Sequence, residues 1–186
     1  MKLVIITGAS RGIGKALALE LDRRWETDTT FLLLARNEAA LSSLAVQLKG
    51  DAVPCPVDFG NPVNGAARFA ELLSATEPGS FTHVYLVNNA GMAGPIGRLG
   101  TLDAAAVEMT VQVNVTTPIL VTNVLLAWIG DSGTPVSVLN ISSGAARFPI
   151  EGLTAYCASK AGLDMFARGA AEEGVPGFRV VSVAPG

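Results

Sequence analysis

Six short apolar runs alternate with segments of helical composition along the whole chain. The runs are rich in Val, Ile and Leu, and they cover residues 3–7, 29–35, 52–56, 82–87, 136–141 and 178–184. Such runs are typical of strands that are buried on both faces of a parallel sheet. The strict alternation of strands and helices predicts an α/β fold, a doubly wound parallel sheet flanked by helices. For a chain of 186 residues, we expect a single domain over 1–186.

A glycine-rich turn follows the first predicted strand and precedes a predicted helix over 15–25. It reads Thr7-Gly8-Ala9-Ser10-Arg11-Gly12-Ile13-Gly14. Glycines allow the backbone to approach a pyrophosphate closely, and a helix N-terminus offers free amide groups to a phosphate. The order of strand, turn and helix therefore predicts a dinucleotide-binding site. The glycine spacing differs from G-x-G-x-x-G, so an ordinary tight turn between strand and helix is the alternative interpretation.

The end of the second predicted strand indicates which dinucleotide the site prefers. Folds that bind NAD usually carry an acidic residue there, which holds the 2′-hydroxyl group of the ribose. Here the strand ends in Ala35-Arg36-Asn37, and Arg11 of the glycine-rich turn adds a second positive charge. Because guanidinium groups pair well with phosphate, this pattern predicts NADP rather than NAD. The alternative is that both arginines are solvated surface charges.

Polar residues also follow the third and fourth predicted strands, where a doubly wound sheet binds its ligands. Asp58 follows the third strand and fits either a ligand contact or a turn. The segment Asn88-Asn89-Ala90-Gly91 ends the fourth strand. Further on, Asn114 lies in an apolar helical pattern over 110–129, where an asparagine needs hydrogen-bond partners. Pro118 in the same pattern predicts a kink or a local break of the helix.

Tyr156 and Lys160 are four residues apart in a segment of helical composition that follows the fifth predicted strand. This spacing places them on one helix face, one turn apart. A nearby ammonium group favours the phenolate form of a tyrosine, which predicts a side chain that exchanges protons near neutral pH. Ser143 lies just past the strand end and can supply a hydroxyl group to the same site. The alternative is a surface lysine one turn from a packed tyrosine.

The composition argues against several classes of protein. A net charge of −3 without a basic run argues against a nucleic-acid partner. No apolar run approaches the roughly 20 residues that span a bilayer, and the N-terminus lacks a signal-peptide pattern. We therefore expect a cytoplasmic protein without a membrane partner. Cys55 and Cys157 form neither a disulfide framework nor a metal-ligand cluster, and His83, the only histidine, is expected to be structural. No metal is expected.

Taken together, these motifs resemble the short-chain dehydrogenase/reductase family, which has a Rossmann-like fold, and they follow the family's order. The resemblance rests on the glycine-rich turn, Asp58, residues 88–91, Asn114, Ser143, Tyr156-x-x-x-Lys160 and Pro185-Gly186. The family's serine lies thirteen residues before its tyrosine, which selects Ser143 over Ser142. Within the family, the blocks 32–37, 139–143 and 155–160 are most similar to the sepiapterin reductase and benzil reductase branch.

The resemblance implies an NADP-dependent carbonyl reductase in which Tyr156 protonates the carbonyl oxygen as hydride arrives. Ser143 would hold that oxygen, Lys160 would bind the nicotinamide ribose, and Asn114 would support a water in the proton relay. Asp58 would meet the adenine amino group, and Asn88 would line the adenosine side. The implied cofactor contacts are Gly8, Ser10, Arg11, Gly12, Ile13, Gly14, Arg36, Asn37, Asp58, Asn88, Ala90, Gly91, Tyr156, Lys160, Pro185 and Gly186.

Family members usually continue past the Pro-Gly pair into a mobile lid and a last strand, whereas this sequence ends at Gly186. The resemblance therefore implies that residues 1–186 lack the lid that closes the site and excludes water. A non-catalytic NADP-binding or redox-sensing module is therefore an alternative. An epimerase or dehydratase is a third, although the spacing G-x-x-G-x-x-G common in that group is missing from the first turn.

The resemblance also bears on the substrate and on assembly. Residues 92–99 and 145–153 should border the substrate pocket, and residues 148–150 and Leu153 make its wall apolar. This composition suits a small-molecule hydrophobic or aromatic ketone or diketone. Family members commonly assemble through the helices that carry the residues equivalent to Asn114 and Tyr156, so a homo-dimer or homo-tetramer is expected.

Overall fold

Six parallel strands form one sheet in the order β3-β2-β1-β4-β5-β6. The computed structural model of the protein describes residues 1–25 and 28–185. The strands are β1 (Lys2–Thr7), β2 (Thr29–Ala35), β3 (Asp51–Pro56), β4 (His83–Asn88), β5 (Val136–Ile141) and β6 (Phe178–Val183). The predicted doubly wound parallel sheet is confirmed. The strand order reverses between β1 and β4, so a ligand crevice is expected at the carboxyl ends of these two strands.

Six α-helices connect the strands. They are α1 (Gly12–Trp25), α2 (Glu38–Ala45), α3 (Pro62–Leu73), α4 (Ala104–Val111), α5 (Thr117–Ile129) and α6 (Thr154–Glu172). Side-chain caps define three of the starts, because Asn37, Asn61 and Asp103 each accept a hydrogen bond from a backbone amide in the first helical turn. These caps fix where α2, α3 and α4 begin.

Both faces of the sheet are buried, because alternate residues of each central strand pack on opposite sides. In β1, Leu3 and Ile5 belong to one core cluster, which also holds Phe69 of α3 and Leu125 of α5. Val4 and Ile6 belong to the other cluster, which also holds Ala18 of α1 and Leu41 of α2. Each fully buried aliphatic side chain contributes about 1.5–3 kcal/mol relative to an exposed one. This two-sided burial is why the central strands read as continuous apolar runs, whereas no residue of the edge strand β6 is buried.

The predicted break near Pro118 is confirmed as one widened turn between α4 and α5. Residues Gln112–Thr116 form a π-helical turn, in which the Thr117 amide donates to the Gln112 carbonyl oxygen. Proline has no N–H, so the carbonyl of Asn114, four residues earlier, lacks its α-helical partner. The widened turn accommodates the proline ring within a helical stretch that continues from Ala104 to Ile129.

The helical stretch Ala104–Ile129 is long and apolar enough to cross a membrane by length and composition. The expectation that no segment reaches this size is therefore wrong. In the fold, Val121, Leu125 and Ile129 of this stretch are buried against the sheet. Its apolar residues thus form part of the core of the domain.

Candidate active site

The glycine-rich turn packs so closely that side chains at Gly8 and Gly14 would clash with neighbouring atoms. Gly8 and Gly12 adopt positive φ angles of 67° and 56°, which other residues rarely adopt. A Cβ atom on Gly8 would lie 2.9 Å from the Cα atom of Ala90. A Cβ atom on Gly14 would lie 2.5 Å from both the Gly8 carbonyl oxygen and Asn89 Nδ2. The backbone of the turn therefore packs directly against the end of β4.

Thr7 and Asn89 hold this turn in place, and neither was among the predicted site residues. The Thr7 hydroxyl oxygen accepts hydrogen bonds of 3.0 Å from the backbone amides of Asn89 and Ala90. The Asn89 side-chain amide donates to the carbonyl oxygens of Thr7 and Gly8, also at 3.0 Å. These four bonds connect the carboxyl ends of β1 and β4, where the strand order reverses.

The mouth of the turn has the donor groups that a dinucleotide phosphate requires. Arg11, Gly12 and Ile13 are exposed, and the first turn of α1 carries no acidic residue. The Ala9 amide donates to the Leu34 carbonyl oxygen at 3.2 Å, which holds the turn beside the end of β2. Arg36 follows β2 directly and is exposed. Free helix amides and two exposed guanidinium groups at one edge of the sheet fit a phosphorylated nucleotide.

Three of the predicted cofactor residues use their side chains within the fold. Asn37 Oδ1 accepts from the Ala40 amide at 3.0 Å and caps α2. Asp58 Oδ1 accepts from the Gly60 amide at 2.9 Å, which is the turn role left open by the sequence, and its carboxylate is exposed. Asn88 is buried, and its side chain donates to Thr122 and Asn140. The structure thus places the Asn88 side chain between β4, β5 and α5, so it does not line a crevice as predicted.

Three predicted catalytic residues lie near the end of β5. Ser143 follows this strand, and Tyr156 and Lys160 lie on α6. Ser143 Oγ accepts from the Ala145 amide at 3.2 Å and leaves its own O–H free to donate. Tyr156 lies in the first turn of α6, half-buried, and its hydroxyl has no hydrogen-bond partner among the described residues. Lys160 lies one turn later and is buried. The phenol and the Ser143 hydroxyl are thus two groups near this strand end that can donate a hydrogen bond to a ligand.

The Lys160 ammonium group is held inside the fold. Its Nζ atom donates to the Ile141 carbonyl oxygen at 2.7 Å and lies 5.8 Å from the centroid of the Tyr156 ring. Burial lowers the pKa of Lys160 to about 8, and the negative charge of Asp164 opposes this shift. The predicted proximity of the lysine to the tyrosine ring is therefore observed.

Asn114 connects the loop after β4 to the two helices of the site. Its Oδ1 atom accepts from the Met92 amide at 2.9 Å, and its Nδ2 atom donates to the Met92 carbonyl oxygen at 2.8 Å. The second Nδ2 hydrogen goes to Ser159 Oγ at 2.9 Å. A Cβ atom on Gly91 would lie 3.3 Å from Asn114 Oδ1 and 3.6 Å from Lys160 Nζ, so Gly91 lies beside both residues. The side chain of Asn114 thus ties backbone together, which the apolar helical pattern had suggested.

The loop after β4 is joined to the loop that precedes α6, the helix that carries Tyr156. The Gly97 amide donates to the Gly152 carbonyl oxygen at 2.9 Å, and Arg98 lies 3.6 Å from Glu151 as an exposed ion pair. Thr110, fully buried on α4, donates to the Gly94 carbonyl oxygen in the first loop. Large apolar side chains on both loops are exposed to solvent, namely Ile96, Leu99, Phe148 and Ile150. These four apolar side chains are thus accessible to solvent.

The larger of the two cavities described lies away from Tyr156. It measures about 580 Å³, lies between α6 and β6, and is lined by Arg147, Asp164, Arg168 and Ser182 among others. Neither Tyr156 nor Ser143 lines it. This cavity therefore gives no information about a substrate at Tyr156, and the candidate site is defined by Ser143, Tyr156 and Lys160 near the end of β5. Pro185 is exposed beyond β6, and the predicted contact at Gly186 lies outside the described residues.

Comparison with known proteins relates this geometry to a family. The sequence matches the short chain dehydrogenase family over residues 2–186. It is 36% identical over 169 residues to a benzil reductase ((S)-benzoin forming) of Bacillus subtilis, covering 90% of this chain and 65% of that protein. It is 34% identical over 193 residues to the sepiapterin reductase of Bos taurus, covering 99% of this chain and 72% of that protein. The chain thus spans about two thirds of the length of these relatives.

Solved structures show the same architecture. A short-chain dehydrogenase from Sphingobium yanoikuyae in complex with NADPH superposes with a TM-score of 0.83 at 28% sequence identity. The match covers 100% of this chain and 71% of that one.

Proposed function

Because this chain belongs to the short-chain dehydrogenase family, we propose that it forms the cofactor-binding and catalytic part of an NADP-dependent carbonyl reductase. One observation carries the proposal. Tyr156, a half-buried phenol without a hydrogen-bond partner in residues 1–25 and 28–185, lies one helical turn from a buried ammonium group that is 5.8 Å from its ring centroid. A module that only bound the nucleotide would not require this pair.

The residues around the glycine-rich turn would hold the cofactor. The amides at the start of α1 suit the pyrophosphate, and Gly8 and Gly14 leave room for the close packing of the turn. Arg11 and Arg36 favour a 2′-phosphate because both guanidinium groups are exposed and no carboxylate ends β2. The NADPH complex of the Sphingobium yanoikuyae relative agrees with this preference. When bound, NADPH supplies the hydride that reduces the carbonyl carbon.

Proton delivery falls to the residues at the end of β5. Tyr156 donates its phenolic proton to the carbonyl oxygen of the substrate and is left as a phenolate. Ser143 donates a hydrogen bond to the same oxygen through the O–H that its own turn leaves free. Lys160 stabilises the phenolate through its charge and offers its two remaining N–H groups to the nicotinamide ribose. Asn114 bonds to both Met92 and Ser159 and so fixes the position of the loop after β4 relative to α6, which supports the proton relay.

The exposed apolar loops suit a hydrophobic or aromatic ketone or diketone. Ile96 and Phe148, on the two joined loops, are 80% and 70% exposed, which provides apolar surface on the loops that we propose as the pocket wall. The names of the relatives, benzil reductase and sepiapterin reductase, agree with a substrate of this class. We also propose that the protein assembles as a homo-oligomer through the outer faces of α5 and α6.

The Tyr156→Phe variant tests the proposed chemistry. It removes one hydroxyl group and keeps the ring, so reduction should fall by at least about 10²-fold while NADPH binding stays within about twofold. The complete protein would be assayed by the absorbance of NADPH with aromatic diketones and pterin-like carbonyls. Binding would be followed by fluorescence titration. Retained turnover in Tyr156→Phe would exclude the proposed acid, whereas tight NADPH binding without any carbonyl reduction would favour a redox-sensing module.

A further inference from the structure

The hydroxyl group of Ser159 joins two elements of the candidate site. Ser159 lies on α6 between Tyr156 and Lys160 and is only 2% exposed. Its Oγ atom accepts a hydrogen bond from Asn114 Nδ2 at 2.9 Å and donates one to the Tyr156 carbonyl oxygen at 2.8 Å. A single side chain thus links the π turn that carries Asn114 to the first turn of α6.

The two bonds of Ser159 differ in origin. Serines within helices often donate to a carbonyl three or four residues earlier, and this habit accounts for the bond to Tyr156. The bond to Asn114 joins residues that are 45 positions apart, on different helices. It also completes the bonding of Asn114, because both Nδ2 hydrogens and the Oδ1 atom then have partners. Without the serine hydroxyl, a buried N–H of Asn114 loses its partner.

We propose that Ser159 is a positioning residue, which holds the turn that carries Tyr156 in register with Asn114 and the Met92 loop. The inference rests on the proposed reductase function. The Tyr156 hydroxyl has no hydrogen-bond partner of its own among the described residues, so the helical turn behind it sets the position of the phenol. Reaction rates are sensitive to such placement, since a displacement of about 1 Å can cost about 10²-fold in rate.

Two variants separate the hydrogen bond from the packing. Ser159→Ala removes the hydroxyl group and leaves a small space, whereas Ser159→Cys fills that space with a much weaker hydrogen-bonding group. In the complete protein, both variants should lower kcat by about 10- to 100-fold. The KM for the carbonyl and the Kd for NADPH should change by less than about threefold, because no contact to either ligand is removed.

A matched control removes an equivalent hydroxyl group elsewhere. Thr134 is buried before the start of β5, at the opposite end of the sheet, and donates to the Pro78 carbonyl oxygen at 3.0 Å. Thr134→Val should lower the thermal midpoint as Ser159→Ala does, yet leave kcat within about twofold. If kcat falls in Thr134→Val as well, general destabilisation explains the loss and the inference is overturned.

Asn114→Ala completes a double-mutant cycle. If Ser159 acts through Asn114, the doubly substituted protein should be no slower than Asn114→Ala alone. Multiplicative losses, or a normal kcat in Ser159→Ala, would overturn the inference while an active wild-type protein still supported the reductase. A wild-type protein that reduces no carbonyl would instead overturn the proposed function, and this inference with it.

Discussion

Lys160 keeps its charge in a buried position, which links its protonation to the stability of the fold. Burial lowers its pKa from 10.5 to about 8, so between these values the unfolded chain holds a proton that the folded chain has lost. The free energy of unfolding therefore rises with pH across this window, by up to about 3 kcal/mol. Lys160→Met keeps the length of the side chain without the charge, and it should remove this rise. Urea unfolding at several pH values between about 7 and 10.5 measures it.

Cys55 changes the free energy of unfolding with pH in the direction opposite to Lys160, so Lys160→Met must be compared with wild type. Burial raises the pKa of its thiol from 9.0 to about 11, so the unfolded thiol loses its proton first and stability falls as pH rises through that range. Because Cys55 is present in both proteins, its effect cancels in the difference between wild type and Lys160→Met. Parallel stability curves would show that Lys160 remains protonated in the folded protein up to its ordinary pKa.

Arg36 at the end of β2 provides a test of cofactor preference. Arg36→Asp removes a phosphate partner and places a carboxylate where NAD-binding folds hold the ribose hydroxyl. We expect the ratio of kcat/KM for NADPH to that for NADH to fall by at least about tenfold. A tenfold change corresponds to the loss of about one charge-assisted hydrogen bond to the 2′-phosphate. Arg68→Asp, an exposed position on α3, makes the same change in net charge and should leave the ratio unaltered. Equal ratios for Arg36→Asp and wild type would refute a 2′-phosphate contact at Arg36.

Site residues that are close in sequence were identified from the sequence, whereas residues whose bonds join distant positions were not. Tyr156 and Lys160 were found because their spacing along one helix encodes their proximity. Thr7 and Ser159 were missed because their bonds join positions 83 and 45 residues apart, which a single sequence does not display. The Asn88 side chain, predicted to line the crevice, is instead buried between β4, β5 and α5. Successive side chains of a strand point to opposite faces, and the sequence does not say which of two neighbours faces the crevice.

At the scale of elements, the strands were predicted better than the helix ends. Each strand lies within one residue of its predicted bounds, including β6, in which no residue is buried. Leu41, Leu44 and Leu48 have helical spacing, which predicts a helix over 38–49, yet α2 ends at Ala45. The segment beyond it is held by Asp22 of α1, whose carboxylate accepts from the amides of Lys49 and Gly50 at 2.9 Å. That interaction comes from a distant element and is invisible in the local pattern.

The contact between the glycine-rich turn and the end of β4 predicts unequal effects at two of its glycines. A Cβ atom on Gly14 would lie 2.5 Å from a backbone oxygen, whereas one on Gly12 would meet nothing within 4 Å. Gly14→Ala should therefore destabilise the fold by about 1–3 kcal/mol through overpacking. Gly12 needs a positive φ, which asparagine adopts more readily than alanine.

Gly12→Asn should accordingly lower the free energy of unfolding by less than about 1 kcal/mol, and Gly12→Ala by about 1–2 kcal/mol. Thermal or urea unfolding of the three variants without cofactor compares them directly. A Gly14→Ala protein as stable as wild type would show that the turn and the end of β4 are not in the close contact described.

At the scale of the whole molecule, each face of the sheet is covered by helices, yet the outer surface of α5 and α6 retains apolar groups. A groove of about 280 Å³ lies between these helices and is lined by Ile119, Leu126, Phe166 and Ala170 among others. Met165 on α6 is 57% exposed. Apolar surface that follows two long helices is suited to packing against the same helices of a second copy.

Ile119→Glu tests this assembly with little risk to the fold, because Ile119 is an exposed position on α5. In an interface between two copies, the new carboxylate would lose water without gaining a partner, which costs several kcal/mol. Sedimentation velocity should therefore show wild type as a dimer or tetramer and Ile119→Glu as a monomer with an unchanged circular dichroism spectrum. Val46→Glu places the same charge at an apolar position that is 85% exposed, outside this surface. If Ile119→Glu and Val46→Glu both stay oligomeric, the copies associate through another face. If the wild-type protein is itself a monomer, the outer faces of α5 and α6 are exposed to solvent.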